Sequence, residues 1–431
     1  MVASPLRVGV VGAGPTGSAL AILLARQGAE VTLFDHGRRP ALLVGESLVP
    51  AVVPILNRLG FEEETAAIGR VKPGVSFVWS SRDRVSFRFA RFAPAVPPYA
   101  YNIPRPQFDE AVLARAIVSG VHRVVTNARL EPARGTGTEL VLSAETLAAA
   151  PSLQGRQPDL IVDATGRARQ AARALGIGAR VGPRDDVAHF AHYEGFSWDD
   201  EPGQVVINRI KAGWSWRIPL KDRLSVGIVL DRKDAADFGG TAEERLERAI
   251  ALDPGLSETL AGARRVSPTA TYSNYQLISE RGHGPGWVMV GDAFGFVDPM
   301  LSPGVFLGLR SAELVADTLA PFAQGRMSPT PAALAAALGS YTAVQTAMLD
   351  AWMALVAYLY DGRLMAMLRA GHDWMQAHPG RLTSAVQTHI ERQVALQASG
   401  VATTARYGRG LLRMLGRYAL RGVDPAELAI R

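Results

Sequence analysis

A short glycine-rich loop near the start of the chain has the residue types needed to bind a diphosphate. It follows the apolar run 6–11 and precedes alanines and leucines at helical spacing, which indicates a strand-to-helix turn. Free backbone N–H groups and the helix dipole at such a turn bind the diphosphate of a dinucleotide. Asp35 ends the next strand-like run, where a carboxylate can accept hydrogen bonds from ribose hydroxyls. The predicted binding residues in the loop are Gly12, Gly14, Pro15, Thr16 and Gly17.

Three later segments favour FAD over NAD as this dinucleotide. Asp292 follows a buried strand-like run, where its carboxylate can accept hydrogen bonds from a ribityl chain, a group that NAD lacks. Asp163 and Gly166 close an apolar run midway along the chain, and Arg105 begins a predicted helix on the flavin side. Together these residues resemble the FAD-binding family of p-hydroxybenzoate hydroxylase-like monooxygenases, geranylgeranyl reductases and flavin-dependent halogenases. The resemblance covers about residues 5–320 and implies a non-covalently bound FAD.

The segment Gly213–Pro219 resembles the flavin-dependent halogenases in particular, because it matches their W-x-W-x-I-P signature. The resemblance implies that the two tryptophans lie near the flavin and hinder direct oxygen transfer to an organic substrate. Trp214 and Trp216 share one strand face, so core packing alone is the alternative explanation. Ile218 and Pro219, which follow in register, favour the halogenase signature.

A second segment, 296–304, resembles the halogenase motif F-x-x-P-x-x-S-x-G, which lies beside the flavin ring and the halide. Backbone N–H groups of residues 302–305 precede a predicted helix and could bind chloride. Pro303 departs from the Ser or Thr of many halogenases and removes one donor. The resemblance places Phe296 near the flavin, assigns cofactor contacts to Pro299, Gly304 and Val305, and assigns the halide to Ser302, Gly304 and Val305.

Lys72 and Ser302 are the predicted catalytic residues. Lys72 precedes a glycine and an aromatic strand, as a lysine does in phenol and pyrrole halogenases, and the upstream segment 45–50, with Ser47 as a cofactor contact, is halogenase-like too. The resemblance implies that reduced flavin and oxygen give a C4a-hydroperoxide, which oxidises halide to hypohalous acid. A lysine ammonium could hold this acid by a hydrogen bond, or a neutral amine, with its pKa lowered by desolvation, could form a chloramine. The alternative is a solvated surface lysine.

The resemblance also implies which substrates and partners to expect. Leu301 stands where tryptophan halogenases have a glutamate, which points to the phenol, pyrrole or carrier-tethered branch. We therefore expect FAD, used as FADH2 from a separate flavin reductase, with chloride or bromide. The acceptor would be an aromatic small molecule or a substrate bound to an acyl carrier protein, with which the net charge of +6 is compatible. The alternatives are a FAD-dependent monooxygenase or oxidoreductase on the same scaffold, or a non-catalytic flavin-binding subunit.

Composition excludes several other classes of function. The chain has no cysteine, which rules out disulfides, thiolate metal sites and cysteine nucleophiles. No cluster of lysine and arginine resembles a nucleic-acid-binding arm, so we expect no nucleic-acid partner. His189 and His192 are interpreted as strand residues near the flavin, and we predict no metal site.

The order of the patterns predicts an α/β fold with three parts. Residues 1–170 and 281–324 form a Rossmann-like FAD-binding domain, residues 171–280 an antiparallel-sheet substrate domain, and residues 325–431 a C-terminal helical region. The segment 71–100 contributes to the substrate side.

Two shorter segments complete the predictions. Residues 47–59 have a helical pattern, and 349–360 is an apolar run too short to span a bilayer, which favours a buried helix. The N-terminus lacks the pattern of a signal peptide. We therefore expect a cytoplasmic protein with no membrane span.

Overall fold

The computed structural model describes residues 5–80, 83–135, 137–210, 212–273, 276–420 and 422–430. They form a Rossmann-like parallel sheet, a large mostly antiparallel sheet and a C-terminal helical region, which confirms the predicted fold class.

Most strands are short, and the longer ones belong to the antiparallel sheet. In chain order the strands are β1 (Arg7–Val11), β2 (Glu30–Asp35), β3 (Arg70–Lys72), β4 (Gly74–Val78), β5 (Arg84–Arg88), β6 (Ala100–Asn102), β7 (His122–Val125), β8 (Leu130–Pro132), β9 (Leu140–Leu142), β10 (Leu160–Asp163), β11 (Ala179–Val181), β12 (Asp186–Glu194), β13 (Val205–Ile210), β14 (Gly213–Pro219), β15 (Leu224–Asp231), β16 (Arg264–Arg265), β17 (Ala270–Ser273), β18 (Leu277–Ser279), β19 (His283–Gly284), β20 (Trp287–Met289) and β21 (Gly295–Phe296).

The longest helices lie in the last third of the chain. In chain order the helices are α1 (Pro15–Arg26), α2 (Val52–Arg58), α3 (Glu62–Ile68), α4 (Arg105–Val118), α5 (Ala144–Ala148), α6 (Gln170–Ala174), α7 (Ala242–Leu252), α8 (Pro254–Thr259), α9 (Gly304–Ala323), α10 (Pro331–Tyr360), α11 (Arg363–Ala377), α12 (Arg381–Ala398), α13 (Arg406–Tyr418) and α14 (Pro425–Leu428).

The parallel sheet has the strand order β19-β20-β10-β1-β2-β7, and all of its strands except β19 run parallel. Its central strands are almost fully buried; α1 packs on β1 and β2, and α4 packs on α1. Since the carboxyl ends of parallel strands share one edge, the ends of β1, β10 and β20 meet there. This edge positions the glycine loop, Asp163 and Asp292 in one region.

The second sheet orders its strands β16-β12-β15-β14-β13-β4-β5, with β17 paired to β12. The hairpin β4–β5 joins it through a parallel pairing of β4 with β13, so the segment after Lys72 becomes part of this sheet. Both faces of β14 are buried: on one face Arg217 hydrogen-bonds to Thr259 of α8, and on the other Trp214 hydrogen-bonds to Tyr360 at the end of α10. The lysine and the two tryptophans are thereby brought to one side of the molecule.

Helix α10 is the one helix in the described part of the chain that is long and apolar enough to cross a membrane, since an 18-residue window in it has a mean hydropathy of 1.3. It spans 30 residues, so the length argument based on 349–360 alone was wrong. One face of α10 packs on the parallel-sheet domain, where the Tyr341 hydroxyl donates to Met289 O at 2.8 Å. The absence of a membrane span and a cytoplasmic location stay predictions.

The helix predicted over 47–59 is shorter in the structure. Only Val52–Arg58 is helical, and Ser47 instead forms an isolated bridge with Asn102. Pro50 explains the difference, because the residue before a proline is disfavoured in the helical region. The resulting extended segment brings Ser47 and the Leu48 carbonyl close to Lys72.

Candidate active site

The glycine loop lies at the mouth of a large cavity between the two sheets, with an empty volume of about 1250 Å³. Gly12 has a φ of +112°, and a Cβ there would lie 2.3 Å from Ala164 O. At Gly17 a Cβ would lie 2.0 Å from Gly12 O. A Cβ on Gly14, by contrast, would meet no heavy atom within 4 Å. Gly12 and Gly17 therefore serve chain packing, whereas Gly14 leaves open space in front of helix α1.

Most of the predicted site residues line this cavity, which we call the flavin cavity. Its lining includes Gly14, Pro15, Thr16, Ser47, Arg105, Gly166, Trp214, Trp216, Ile218, Asp292, Phe296, Pro299, Ser302, Gly304 and Val305.

Asp35 does not line the flavin cavity, although the sequence predicts a ribose contact for it. Its carboxylate accepts hydrogen bonds from Arg39 at 2.9 and 3.1 Å and from Arg123 at 2.6 Å. Burial raises the pKa of Asp35, but these hydrogen bonds and that of Gly37 outweigh burial and lower it. In the structure this carboxylate is engaged by two guanidinium groups, and its contact with a ribose stays a prediction.

Asp163 and Pro219 also serve the fold. Asp163 Oδ1 accepts from Thr165 N at 2.9 Å and Oδ2 accepts from Ala171 N at 2.7 Å, so the carboxylate stabilises the turn after β10. Burial raises the pKa of Asp163 despite these hydrogen bonds. The Pro219 carbonyl accepts from Asn102 Nδ2 at 3.0 Å. Neither residue lines the flavin cavity, and the cofactor contact of Asp163 and the flavin-side place of Pro219 stay predictions.

The two tryptophans of β14 both face the flavin cavity, as their spacing of two residues requires. Their ring centroids are 5.7 Å apart, with the planes tilted by 46°. Trp216 Nε1 donates to Ser225 Oγ at 3.2 Å, and Trp214 Nε1 donates to the Tyr360 hydroxyl at 3.0 Å. Each indole is thus held in one orientation by a buried hydrogen bond.

Tyr360, at the end of α10, is a residue that the sequence did not reveal. Its hydroxyl accepts from Trp214 and donates to Asp298 Oδ1 at 3.2 Å. The Arg184 guanidinium stacks 4.2 Å from its ring centroid. Burial, and then the charges of Asp298 and Asp186, hold the pKa of Tyr360 well above its ordinary value, so the phenol keeps its proton. Tyr360 therefore joins the tryptophan strand to the 296–304 loop.

Replacing Tyr360 by phenylalanine should lower the free energy of unfolding by about 1–3 kcal/mol, because the Trp214 N–H loses its acceptor in a buried site. Tyr358→Phe is the matched control, since among the described residues its half-buried ring stacks with Arg363 and its hydroxyl has no hydrogen-bond partner. Urea unfolding measures both. Equal losses in the two variants would contradict a role for the Tyr360 hydroxyl.

The loop 296–304 carries backbone strain at its centre. Leu301 and Ser302 have φ values of +66° and +58°, a region that residues other than glycine seldom occupy. Ser302 N donates to Pro299 O at 2.9 Å, so this amide is engaged in the turn and not available to a halide. The amides of Gly304 and Val305 lie in the first turn of α9, where no intrahelical acceptor exists. A halide site here would therefore use the Ser302 hydroxyl with these two amides.

Lys72 lies in a second, apolar cavity that adjoins the first. The lysine is 4% exposed, and Nζ donates to Ser47 Oγ at 2.8 Å and to Leu48 O at 3.0 Å. Nζ also lies 5.6 Å from the ring centroid of Phe89. Burial lowers the pKa of Lys72 to about 7. A surface lysine is thus excluded, and near neutral pH the amine is present in both protonation states.

The second cavity, which we call the lysine cavity, has an empty volume of about 700 Å³. It shares Val205, Ile207 and Ser302 with the flavin cavity, so the two cavities adjoin at these side chains. Much of its remaining wall comes from α11 and α12, which the sequence did not distinguish from a helical core. Those wall residues are Leu364, Met365, Leu368, Val394, Ala395 and Ala398.

Glu46 forms a buried pair with His192 beside the flavin cavity. His192 Nε2 lies 3.0 Å from both carboxylate oxygens, and Arg223 Nε donates to His192 Nδ1 at 3.1 Å. Because Arg223 always donates, the imidazole carries its proton on Nε2 and donates it to Glu46. This pair fixes the segment that carries Ser47. Residue spacing could not reveal it, since the partners are 146 residues apart.

His189 has no such partner. Its Nδ1 lies 3.0 Å from Thr271 Oγ1, and burial, followed by the charge of Arg245, lowers its pKa to about 4. It is a neutral residue of β12, which confirms its predicted place on a strand, while its position near the flavin stays a prediction.

The residues of the flavin cavity fit FAD. The room in front of Gly14, together with the free amides at the start of α1, suits a diphosphate. Asp292 lines the cavity at the end of β20 and supplies a carboxylate for a polyol chain. The two indoles, Phe296 and Pro299 form an apolar wall suited to an aromatic ring system.

Comparison with known proteins agrees with this geometry. The FAD binding domain family matches residues 6–353. A tryptophan 2-halogenase of Chondromyces crocatus is 30% identical over 366 residues, which are 83% of this chain and 68% of that protein. A flavin-dependent halogenase of Armillaria mellea is 29% identical over 70% of this chain and 63% of its own length. The solved structure of the myxobacterial chondrochloren halogenase matches with a TM-score of 0.71 and 27% identity, and covers 83% of this chain and 82% of that one.

Fold, cavity and family match together define a flavoprotein of the FAD binding domain family. Within that family the chain belongs to the flavin-dependent halogenases, a class of enzymes.

Proposed function

We propose that this enzyme halogenates an electron-rich, uncharged aromatic ring, using FADH2, oxygen and chloride or bromide. The observation that carries the proposal is the pair of adjoining cavities that share Ser302, with a buried amine of pKa about 7 in the second. Bound reduced FAD and oxygen would supply the oxidising equivalent that converts halide to hypohalous acid. The balance is FADH2 + O2 + X⁻ + H⁺ → FAD + HOX + H2O, followed by ArH + HOX → ArX + H2O.

The residues of this chain would bind the halide in one place and retain the hypohalous acid in another. The Ser302 hydroxyl, with the amides of Gly304 and Val305, would hold the halide at the boundary. Lys72 would retain the hypohalous acid in the lysine cavity, either by a hydrogen bond from its ammonium or by R-NH2 + HOX → R-NHX + H2O. In the second case the aromatic ring takes the halogen and the amine is regenerated with the ring proton. The apolar walls would keep water from hydrolysing or diluting the oxidant.

The lining of the lysine cavity supports a substrate without charge. Its polar groups among the described residues are Lys72, Ser302 and Ser399, and no carboxylate lines it. The ammonium of a free amino acid would therefore have no opposite charge beside it. Burying such an unpaired charge away from water is costly. Phe77, Phe87 and Phe89 line the cavity and suit an aromatic ring. A phenol or pyrrole meets these conditions.

A carrier-bound substrate and a reductase partner are part of the proposal. A relative from Pseudomonas fluorescens, 24% identical over 71% of this chain, is a 1H-pyrrole-2-carbonyl-[peptidyl-carrier protein] chlorinase. We propose that the aromatic acceptor here is either free or bound to such an acidic carrier protein. A separate flavin reductase would supply FADH2, as the resemblance to the flavin-dependent halogenases implies.

Turnover with a matched panel tests this function. The FAD-loaded protein, a flavin reductase and NADH should convert a phenol or a pyrrole, free or carrier-loaded, to a product that depends on bromide or chloride, whereas free tryptophan should remain unchanged. Product is measured by mass spectrometry, with halide omitted as the control. Hydroxylated product without halide, or NADH oxidation in the absence of the reductase, would instead identify a monooxygenase.

A further inference from the structure

A third cavity adjoins the lysine cavity and shares no lining residue with the flavin cavity. It has an empty volume of about 1400 Å³ and lies between β5 and the helices α11 and α12. We call it the outer cavity. Its lining is richer in polar side chains than that of the lysine cavity, and most of these polar side chains are exposed or half-buried. The lining includes Asp83, Val85, Ser86, Met365, Leu368, Arg369, His372, Asp373, Gln387 and Glu391.

Three elements pass from the outer cavity to the lysine cavity. On α12, Gln387 and Glu391 line the outer cavity while Val394 and Ala398 line the lysine cavity. Their spacing of four, three and four residues places them on one helix face. On β5, Val85 lines the outer cavity and Phe87, on the same strand face, lines the inner one. The two cavities therefore lie in line along a single groove.

Met365 and Leu368 on α11 line both cavities and stand between them. They are 2% and 6% exposed, so they close the inner cavity toward the outer one. Both side chains are apolar, and methionine is unbranched with three rotatable bonds, so a change of rotamer costs little. This boundary can open without breaking a hydrogen bond or an ion pair.

We propose that the aromatic substrate reaches Lys72 through the outer cavity, past Met365 and Leu368, and that a polar tail of the substrate remains in the outer cavity. The inference rests on the proposed function and names its substrate class. The opposite route would compete with FAD for the flavin cavity. From Gln387 to Ala398 the helix rises about 16 Å, which sets the length of an extended tail.

The chemistry of the outer cavity fits such a tail. The Arg369–Asp83 ion pair, with Nε 2.7 Å from Oδ1, lines it together with His372, Asp373 and Glu391. Both signs of charge are present, and hydroxyl or amide groups could hydrogen-bond to them. The substrate class is therefore an apolar aromatic head joined to a polar, uncharged chain, whether or not that chain continues to a carrier protein.

Cysteine labelling tests the route, because the chain has no native cysteine. His372→Cys and, as a second position, Asp373→Cys place a single thiol in the outer cavity, and fluorescein maleimide then obstructs it. The binding rate of 2-naphthol to the FAD-loaded protein is followed by naphthol fluorescence in stopped flow. Each labelled protein is compared with its own unlabelled form, and we expect labelling to slow association by about tenfold.

Ser328→Cys is the matched control, because this exposed residue lies between α9 and α10 and lines neither the outer cavity nor the lysine cavity. Its labelled form should bind 2-naphthol at the unlabelled rate. Unchanged association in both labelled outer-cavity variants would overturn the route. Since binding needs no turnover, slowed association in a protein that never halogenates would support the route while contradicting the proposed function.

Discussion

Lys72→Met should lower the yield of halogenated product by about two to four orders of magnitude while flavin oxidation continues. Methionine has a similar length and fits the apolar lysine cavity, but it offers neither a hydrogen bond nor a nucleophilic amine to hypohalous acid. The first equivalents of oxidant should convert the thioether to its sulfoxide (R-S-CH3 + HOX → R-S(O)-CH3 + HX), and the oxidant formed in later turnovers should escape. Product measured by chromatography should fall, whereas hypohalous acid trapped in solution by taurine should rise.

Lys233→Met is the control for this substitution. Lys233 is 70% exposed and pairs with Asp231, so its loss changes the charge in the same way without entering either cavity. Its product yield should equal that of the unsubstituted enzyme. Full product yield from Lys72→Met, or an equal loss of product in both variants, would show that Lys72 takes no part in the halogenation reaction.

The pH dependence separates the two roles that Lys72 could play. The neutral amine has two N–H groups, and Ser47 Oγ and Leu48 O accept both, which leaves its lone pair for the cavity. The ammonium would instead offer a third N–H. Since burial lowers the pKa of Lys72 to about 7, a rate that rises with pH through about 7 indicates the amine. A rate that falls there indicates the ammonium.

The same lowered pKa makes the stability depend on pH. In the unfolded chain Lys72 regains its ordinary pKa, so between about 7 and 10.5 the unfolded state binds more protons than the folded one. Burial of the amine therefore destabilises the enzyme fully below pH 7, and this penalty fades as pH rises toward 10.5. The stability that Lys72→Met gains over the unsubstituted enzyme should shrink across that window.

Local patterns predicted the features of the site that depend on neighbouring residues. The glycine loop, the strands beside it and the shared face of Trp214 and Trp216 follow from periodicity over a few residues. Asp35 shows where this reasoning stops. Its place at a strand end was predictable, but Arg123, 88 residues away, engages its carboxylate. Only the assembled fold determines such a pairing.

The same limit applies to the wall of the lysine cavity. Helices α11 and α12 have the apolar pattern of any core helix, since Leu368 and Val394 face inward whether a cavity or a packed core lies there. Tyr360 and the pair of Glu46 and His192 depend on contacts across more than a hundred residues. The backbone conformation of the loop 296–304 could not be predicted from the sequence either. The Ser302 amide donates to the Pro299 carbonyl only because the turn adopts its strained conformation.

Gly14→Val should weaken FAD binding by about a hundredfold, or about 2.7 kcal/mol, with little change in the stability of the FAD-free protein. The backbone at Gly14, with φ −74° and ψ 179°, is open to any residue, and its Cβ would meet no heavy atom within 4 Å. The new side chain would therefore leave the packing of the chain intact and occupy the space proposed for the diphosphate. Poorer N-capping should cost about 1 kcal/mol at most.

Gly17→Val provides the contrast, because its Cβ would lie 2.0 Å from Gly12 O and must displace backbone. That variant should lose thermal stability even without FAD, whereas Gly14→Val should lose affinity alone. Flavin fluorescence titration measures the affinity, and thermal unfolding of the FAD-free proteins measures the stability. If Gly14→Val bound FAD as tightly as the unsubstituted chain, the diphosphate could not lie against the start of α1, and the orientation of the cofactor toward Trp214 would have to be reassigned.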